Sequence, residues 1–238
     1  MPLAISLLIP AYNEEDNIGE CLHYVIKNSQ FKFAEIIVID NASTDRTRQM
    51  AESVPGVRVV SEPHKGLTRA RQRGFLEAKG EILAFIDADT RMPLGWSGQI
   101  EQCFAKPEVV AVSGPYTYFD LPKWQSGLVW LYWHLLGYTT YLMTGYMIVG
   151  GNFAISKKAV EQMGGFDTSI EFYGEDTNIA RRVSRFGKVI FSLSLVMPTS
   201  GRRLKGEGFF KIGLIYASNF VSETILKRPS HSKYKDIR

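Results

Sequence analysis

Apolar runs and amphipathic stretches take turns along the amino-terminal part of the chain. Ala4 to Ile9 is continuous enough in apolar residues to predict a buried strand, stopped by Pro10. After the polar loop Ala11-Tyr12-Asn13-Glu14-Glu15-Asp16-Asn17, the residues Ile18, Cys21, Leu22, Val25 and Ile26 recur at helical spacing and predict a helix with one buried stripe. The unit then repeats. Glu35 to Ile39 reads as a strand ending in Asp40, and Arg46 to Ser53 as a helix; Val57 to Val60 reads as a third strand, and Gly66 to Lys79 as a helix ended by Gly80. A fourth strand, Ile82 to Ile86, runs straight into Asp87-Ala88-Asp89. Strands alternating with helices predict an α/β fold of Rossmann-like type, with a mainly parallel sheet whose ligands lie beyond the carboxyl ends of the strands.

The polar residues gather at those ends. Asp87 and Asp89, at i and i+2 of extended chain, project to one side and suit a hard cation that takes oxygen ligands. A solvated turn is the rival reading of Asp-Ala-Asp alone. Tyr12, Asn13, Glu14 and Asp40 also follow apolar strands, so several carboxylates converge on one edge and repel unless a cation or ligand compensates them, which favours the metal. Asp40 alone also reads as a helix cap, but Thr44 and Asp45 already supply caps for the next helix. Neither GxGxxG nor GxxxxGK[ST] follows a strand, so bound phosphates would need a metal and basic side chains rather than a glycine-rich turn.

Composition narrows the class. With 45% hydrophobic and 22% charged residues in 238, the chain reads as one globular α/β unit with perhaps a small appendage. Cys21 and Cys103 are far apart and the four histidines scattered, so no zinc pattern appears and a reducing, cytoplasmic setting is expected; the short apolar run Leu3 to Pro10, without a basic start, does not read as a signal peptide. The net charge of +4 is uneven: Thr199 to the end holds nine Lys/Arg and three Asp/Glu, leaving 19 basic and 21 acidic residues before it. Such a surplus suits a diphosphate, an anionic membrane surface or nucleic acid, or is a solvated tail.

In this order the motifs resemble those of a GT-A fold, family 2 glycosyltransferase: Ile9 to Glu14, Val38 to Asp45, Gly66 to Gly74 with Ala70-Arg71 inside, Asp87-Ala88-Asp89, Gly150-Gly151-Asn152-Phe153, and Gly174-Glu175-Asp176. The resemblance implies a sugar-nucleotide site. Pro10, Ala11, Tyr12 and Glu14 would line the base and ribose pocket, Asp40 would accept a hydrogen bond from the base, and Arg71 would approach the base or diphosphate, its plain alternative being a helix-surface ion pair. Asp87 would face the ribose and share with Asp89 a Mn²⁺ or Mg²⁺ ion bridging the diphosphate. Asp176 would be the base that deprotonates an acceptor hydroxyl, implying inversion, with Glu175 orienting the acceptor or loop; otherwise both acids are first-turn residues of a helix. Gly151 and Asn152 would border the acceptor.

Trp124 to Ser156 carries no Asp, Glu, Lys or Arg. Crossing a bilayer here would put Asp89 and Asp176 on opposite sides, so two readings remain: an interfacial or acceptor-cleft helix in which Trp130 and Trp133 meet an amphipathic acceptor, or a core helix. Thr199 to Arg203, with Arg202 and Arg203, reads as a basic loop over the diphosphate or a surface turn. Phe209 to Leu226 reads as a last helix before a polar tail from Pro229. No QxxRW motif appears and no set of transmembrane helices follows, which favours single transfer over polymer extrusion. The expected organisation is a glycosyltransferase domain over 1–200, with a donor half to about 114 and an acceptor half beyond, and a basic helix and tail over 201–238 packed on it. The expected partners are a UDP- or GDP-type sugar donor and a saccharide or lipid-linked hydroxyl, with peripheral contact at the inner face of a membrane as one expectation, and no nucleic acid. A silent sugar-nucleotide binding module and a nucleotidyltransferase are the alternatives.

Overall fold

The computed structural model describes residues 3–29, 32–170 and 174–208, with Lys211, Ser218 and Ser222 beyond them. The helix expected over Phe209 to Leu226 and the tail from Pro229 therefore lie outside the described residues, apart from those three positions.

Strands β1 (Ile5–Ala11), β2 (Phe33–Asp40), β3 (Val57–Ser61), β4 (Ile82–Ile86), β5 (Val109–Ser113), β7 (Asn152–Ser156) and β8 (Lys188–Phe191) form a seven-stranded sheet in the order β3-β2-β1-β4-β7-β5-β8. Two short strands, β6 (Tyr116–Tyr118) and β9 (Met197–Thr199), pair in parallel beside it. Six strands of the large sheet run one way, and β7 runs antiparallel to both β4 and β5.

The period of two along each strand sorts side chains into two cores. Ile5, Leu7 and Ile9 of β1, with Ile82, Ala84 and Ile86 of β4, face one layer; Leu8, Leu83 and Phe85 face the other. Helices α1 (Ile18–Asn28), α2 (Thr47–Glu52) and α4 (Trp96–Phe104) cover the first, contributing Ile18, Leu22, Val25, Ala51, Trp96 and Ile100. Helices α3 (Leu67–Glu77), α7 (Lys157–Gln162) and α8 (Glu175–Val183) cover the second with Ala70, Phe75, Val160, Ile179 and Val183. Strands covered on both faces read as continuous apolar runs, which is why they were visible in the sequence.

From β1 the chain winds outward through β2 to β3, then returns to place β4 on the other side of β1. That reversal leaves a crevice at the carboxyl ends of β1 and β4, where ligands of open α/β sheets bind.

The charge-free stretch forms α5 (Lys123–Tyr132), a π-helical turn over Trp133–Gly137, and α6 (Tyr138–Thr144), closed by Gly145 in the left-handed region. Within these three helical segments only Gly137 is buried. The core-helix reading fails. No described helix is long and apolar enough to cross a membrane. The last helix whose range lies within the described residues is α9 (Arg202–Glu207).

Candidate active site

Three acidic side chains meet at the crevice. Asp87 and Asp89 follow β4 directly, and Glu14 follows β1, its backbone amide held by Thr47 Oγ1 at 2.6 Å. Asp87 Oδ2 accepts a 2.8 Å hydrogen bond from Tyr116 Oη. Asp89 accepts one from Thr199 Oγ1 at 3.3 Å, and its backbone oxygen accepts another from the Ser200 amide at 3.1 Å. Burial pushes the Asp89 carboxyl up to about 7, against the pull of Arg202 and with help from Asp87 and Glu14. Negative charge is costly there until a cation joins it.

Asp40 ends β2 and is buried; its Oδ1 accepts from the Ser43 amide at 3.2 Å, while Asp45 caps Thr47 at 2.9 Å, so the cap expected before α2 comes from Asp45. Thr44 instead bonds Asn13. Pro10 and Ala11 are buried inside β1, leaving Tyr12 as the partly exposed side chain of that motif, with Lys65 Nζ 3.9 Å above its ring. Beside Lys65 opens a cleft of about 510 Å³ lined by His64, Gly66, Thr68, Arg69 and Ser169 among others.

Arg71 is not the helix-surface ion pair of the plain alternative: its side chain is 1% exposed and forms a buried ion pair with Glu175, itself 6% exposed. Helical spacing in α3 turns Arg71 inward with Ala70, Gly74 and Phe75, toward the start of α8. Its second terminal nitrogen donates to the Gly150 carbonyl at 2.6 Å. Burial raises the Glu175 carboxyl to about 8 while Arg71 opposes the rise. Glu175 is thus tied to Arg71 within the protein.

Asp176, one residue on, is partly exposed. Burial raises its carboxyl above the ordinary range, against Arg71 and the backbone amides of Thr177 and Gly150. Because β7 is antiparallel, its leading residues Gly150 and Gly151 arrive where β4 ends. A Cβ on Gly151 would stand 2.1 Å from Asp87 Oδ2, and one on Gly150 would stand 2.9 Å from Glu175 Oε1. This glycine pair separates the Asp87 side of the crevice from the Glu175-Asp176 side by two residues.

Asn152 does not face the crevice. It is fully buried, accepting from Trp96 Nε1 at 2.8 Å and donating to the carbonyls of Leu195 at 2.6 Å and Pro115 at 3.2 Å. It braces the rim from below. Trp133 turns inward onto Phe191, 5.7 Å between ring centres, whereas Trp130 is 57% exposed and stacks on His134. Leu131, Leu135, Leu136, Leu142 and Met143 are exposed along the same segment. Burial raises the Tyr132 hydroxyl pKa, and the charge of Asp176 adds to the rise.

The basic residues expected in a loop or surface turn instead open α9, which reaches the other side. Arg202 pairs with Glu14 and lies 3.1 Å from Asp89 Oδ2, and Arg203 is close enough to Tyr118 to influence its hydroxyl. Asp120 fixes this loop through the Gly201 amide at 2.6 Å and Lys205 Nζ at 2.9 Å. Tyr116, Trp96 and Asp120 escaped sequence reasoning, since none lies near a motif and each acts across a distant strand or loop.

Residues 6–164 match the sequence profile of glycosyl transferase family 2, and the chain belongs to that family. A dolichol-phosphate mannosyltransferase from Pyrococcus furiosus is 36% identical over 95 residues, covering 38% of this chain and 27% of the relative. The chain thus spans only about a quarter of that relative's length. Among solved structures, a mannosyltransferase from Pyrobaculum calidifontis in complex with GDP-Man and Mn²⁺ superposes with a TM-score of 0.71 at 22% identity, over 95% of this chain and 64% of that one. Glucosyl-3-phosphoglycerate synthase from Mycobacterium tuberculosis, with Mn²⁺, UDP and phosphoglyceric acid, gives 0.64 at 20% identity, over 94% and 78%. The fold is GT-A.

Proposed function

We propose that the protein transfers a sugar from a UDP- or GDP-type donor to an acceptor hydroxyl, with inversion. The observation that carries this reading is the Gly150-Gly151 pair, which sets Asp87 on one side and Glu175-Asp176 on the other of one narrow crevice at the sheet's switch point. The donor's base and ribose would lie against Tyr12 and Asp40, with its diphosphate toward Asp89 and Arg202. Asp176 would take the acceptor proton as the new O–C bond forms and the bond from the anomeric carbon to the diphosphate oxygen breaks on the opposite face.

The acidic pair fits a divalent cation, since Asp87 and Asp89 offer hard oxygens at a point where burial disfavours uncompensated charge. Among the described residues no three acidic, histidine or cysteine side chains group as a complete site, so diphosphate and water would complete the coordination. Bound there, Mn²⁺ or Mg²⁺ would neutralise charge on the leaving group.

A lipid-linked acceptor suits the exposed surface of residues 123–144. Trp130 and the exposed leucines match the apolar side of a membrane boundary, and Tyr132 leads from them to Asp176. The dolichol-phosphate relative is in keeping with this.

The test is turnover with Mn²⁺, a panel of UDP- and GDP-sugars, and saccharide or polyprenyl-phosphate acceptors. Asp176→Asn should abolish transfer while donor affinity persists. Failure of the parent to bind or hydrolyse any donor would overturn the assignment. Sedimentation with anionic vesicles should capture the parent, and Leu135→Glu with Leu142→Glu should release it if the surface meets a bilayer.

A further inference from the structure

Arg202 stands where a cation is needed. Its guanidinium is shared between Glu14, which is 4% exposed, and Asp89 Oδ2 at 3.1 Å. The backbone that carries it is pinned to the same motif: Arg91 N–H donates to the Pro198 carbonyl at 2.9 Å and Ser200 N–H to the Asp89 carbonyl at 3.1 Å. On its far side Asp120 holds Gly201 and Lys205. A guanidinium delivered so closely to a half-buried carboxylate acts as that carboxylate's built-in counter-ion.

A divalent ion and a guanidinium on one carboxylate repel strongly, because their charges would lie within a few ångströms in a poorly solvated crevice. We infer that Arg202 and the divalent cation exchange at Asp89: metal entry expels the guanidinium, which stays tethered through its strap and turns to the incoming diphosphate. This rests on the metal-dependent reading above and adds a regulation to it. Metal alone must displace Arg202 with no compensation, so it binds weakly. Metal arriving with a diphosphate supplies the displaced cation with a new anion, so the two ligands bind with positive coupling. The arrangement also keeps Glu14 and Asp89 from repelling one another before the donor arrives.

The experiment titrates Mn²⁺ into the full chain, following free Mn²⁺ by electron paramagnetic resonance, with and without GDP or UDP. In the parent, nucleoside diphosphate should tighten Mn²⁺ binding roughly tenfold or more, within the ordinary range of coupling. Arg202→Met should bind Mn²⁺ alone several-fold more tightly than the parent and lose most of the coupling. Arg202→Lys keeps a cation without the forked geometry and should fall between, and its melting curve checks that the strap still folds. Unchanged Mn²⁺ affinity in Arg202→Met, with binding still abolished by Asp89→Asn, would overturn the exchange while leaving the metal site intact. If Asp89→Asn and the parent bind Mn²⁺ equally, the metal reading itself fails, and the exchange with it.

Discussion

Replacing Arg71 by Met removes one half of an ion pair from which water is almost excluded. Removing one member of such a pair leaves the other charge buried without compensation and costs ~3–5 kcal/mol. The Gly150 carbonyl also loses its 2.6 Å donor, a loss that overlaps with this figure. For a chain of this size each kcal/mol lowers the melting temperature by about 2–4 °C, so Arg71→Met should melt roughly 6–20 °C below the parent. Glu175 sets a ceiling on the damage, because burial already raises its carboxyl and it can take up a proton once Arg71 has gone. In the parent its folded pKa already lies above the unfolded value, at about 8, and without Arg71 it lies higher still. Both proteins therefore lose stability in parallel up to about pH 8, and above it the variant alone continues to do so. The deficit should be smaller at pH 7 than at pH 9.5. Urea unfolding followed by tryptophan fluorescence at both values measures this, and Arg71→Met with Glu175→Gln completes a double-mutant cycle. The double variant should cost less than the sum of the singles by about 2 kcal/mol. A single-variant cost below about 1 kcal/mol, with strict additivity and no pH dependence, would refute the buried-pair account.

Asn152→Ala should cost about 3 kcal/mol or more, because it strands the Trp96 N–H and two buried carbonyls; denaturant midpoints give the answer. Gly151→Ala places a methyl against Asp87 and Tyr116, so nucleoside diphosphate affinity by calorimetry should fall roughly tenfold, the worth of one well-placed polar contact. With Asp176 as base, kcat/KM should rise with pH along an acid limb set above the ordinary aspartate range, and Asp176→Asn should remove the limb with the activity.

Strands β1, β2 and β4 were legible because they are covered on both sides and so appear as unbroken apolar runs between turn residues, and β3 by its short apolar run; β5 and β8 were not singled out. The acidic rim was legible for the same reason: Asp40, Asp87 and Asp89 end such runs abruptly. The burial of Arg71 was not legible, because helical periodicity says which face a residue occupies but not that a glutamate 104 positions later is buried against it. Nor was the burial of Asn152, since a buried bracket and a ligand contact carry the same amide. Nothing in the local sequence marks β7 as the reversed strand. The stretch from Trp124 to Thr144 was ambiguous in principle, because lack of charge describes a core helix and a helix at an apolar boundary equally well; its sparse packing against Phe191 and its neighbours shows only that it is not a core helix.

The reversed direction of β7 has a consequence for how this protein can drift or be engineered. Its neighbours leave the sheet at the crevice, whereas β7 enters there, so the end of the turn ahead of it, at Gly150 and Gly151, has no slack on either side. Length changes in that turn should damage donor and acceptor handling together. The opposite edge, around Leu3, Lys79 and Lys106, is remote from the chemistry and is the better place for tags, insertions or immobilisation.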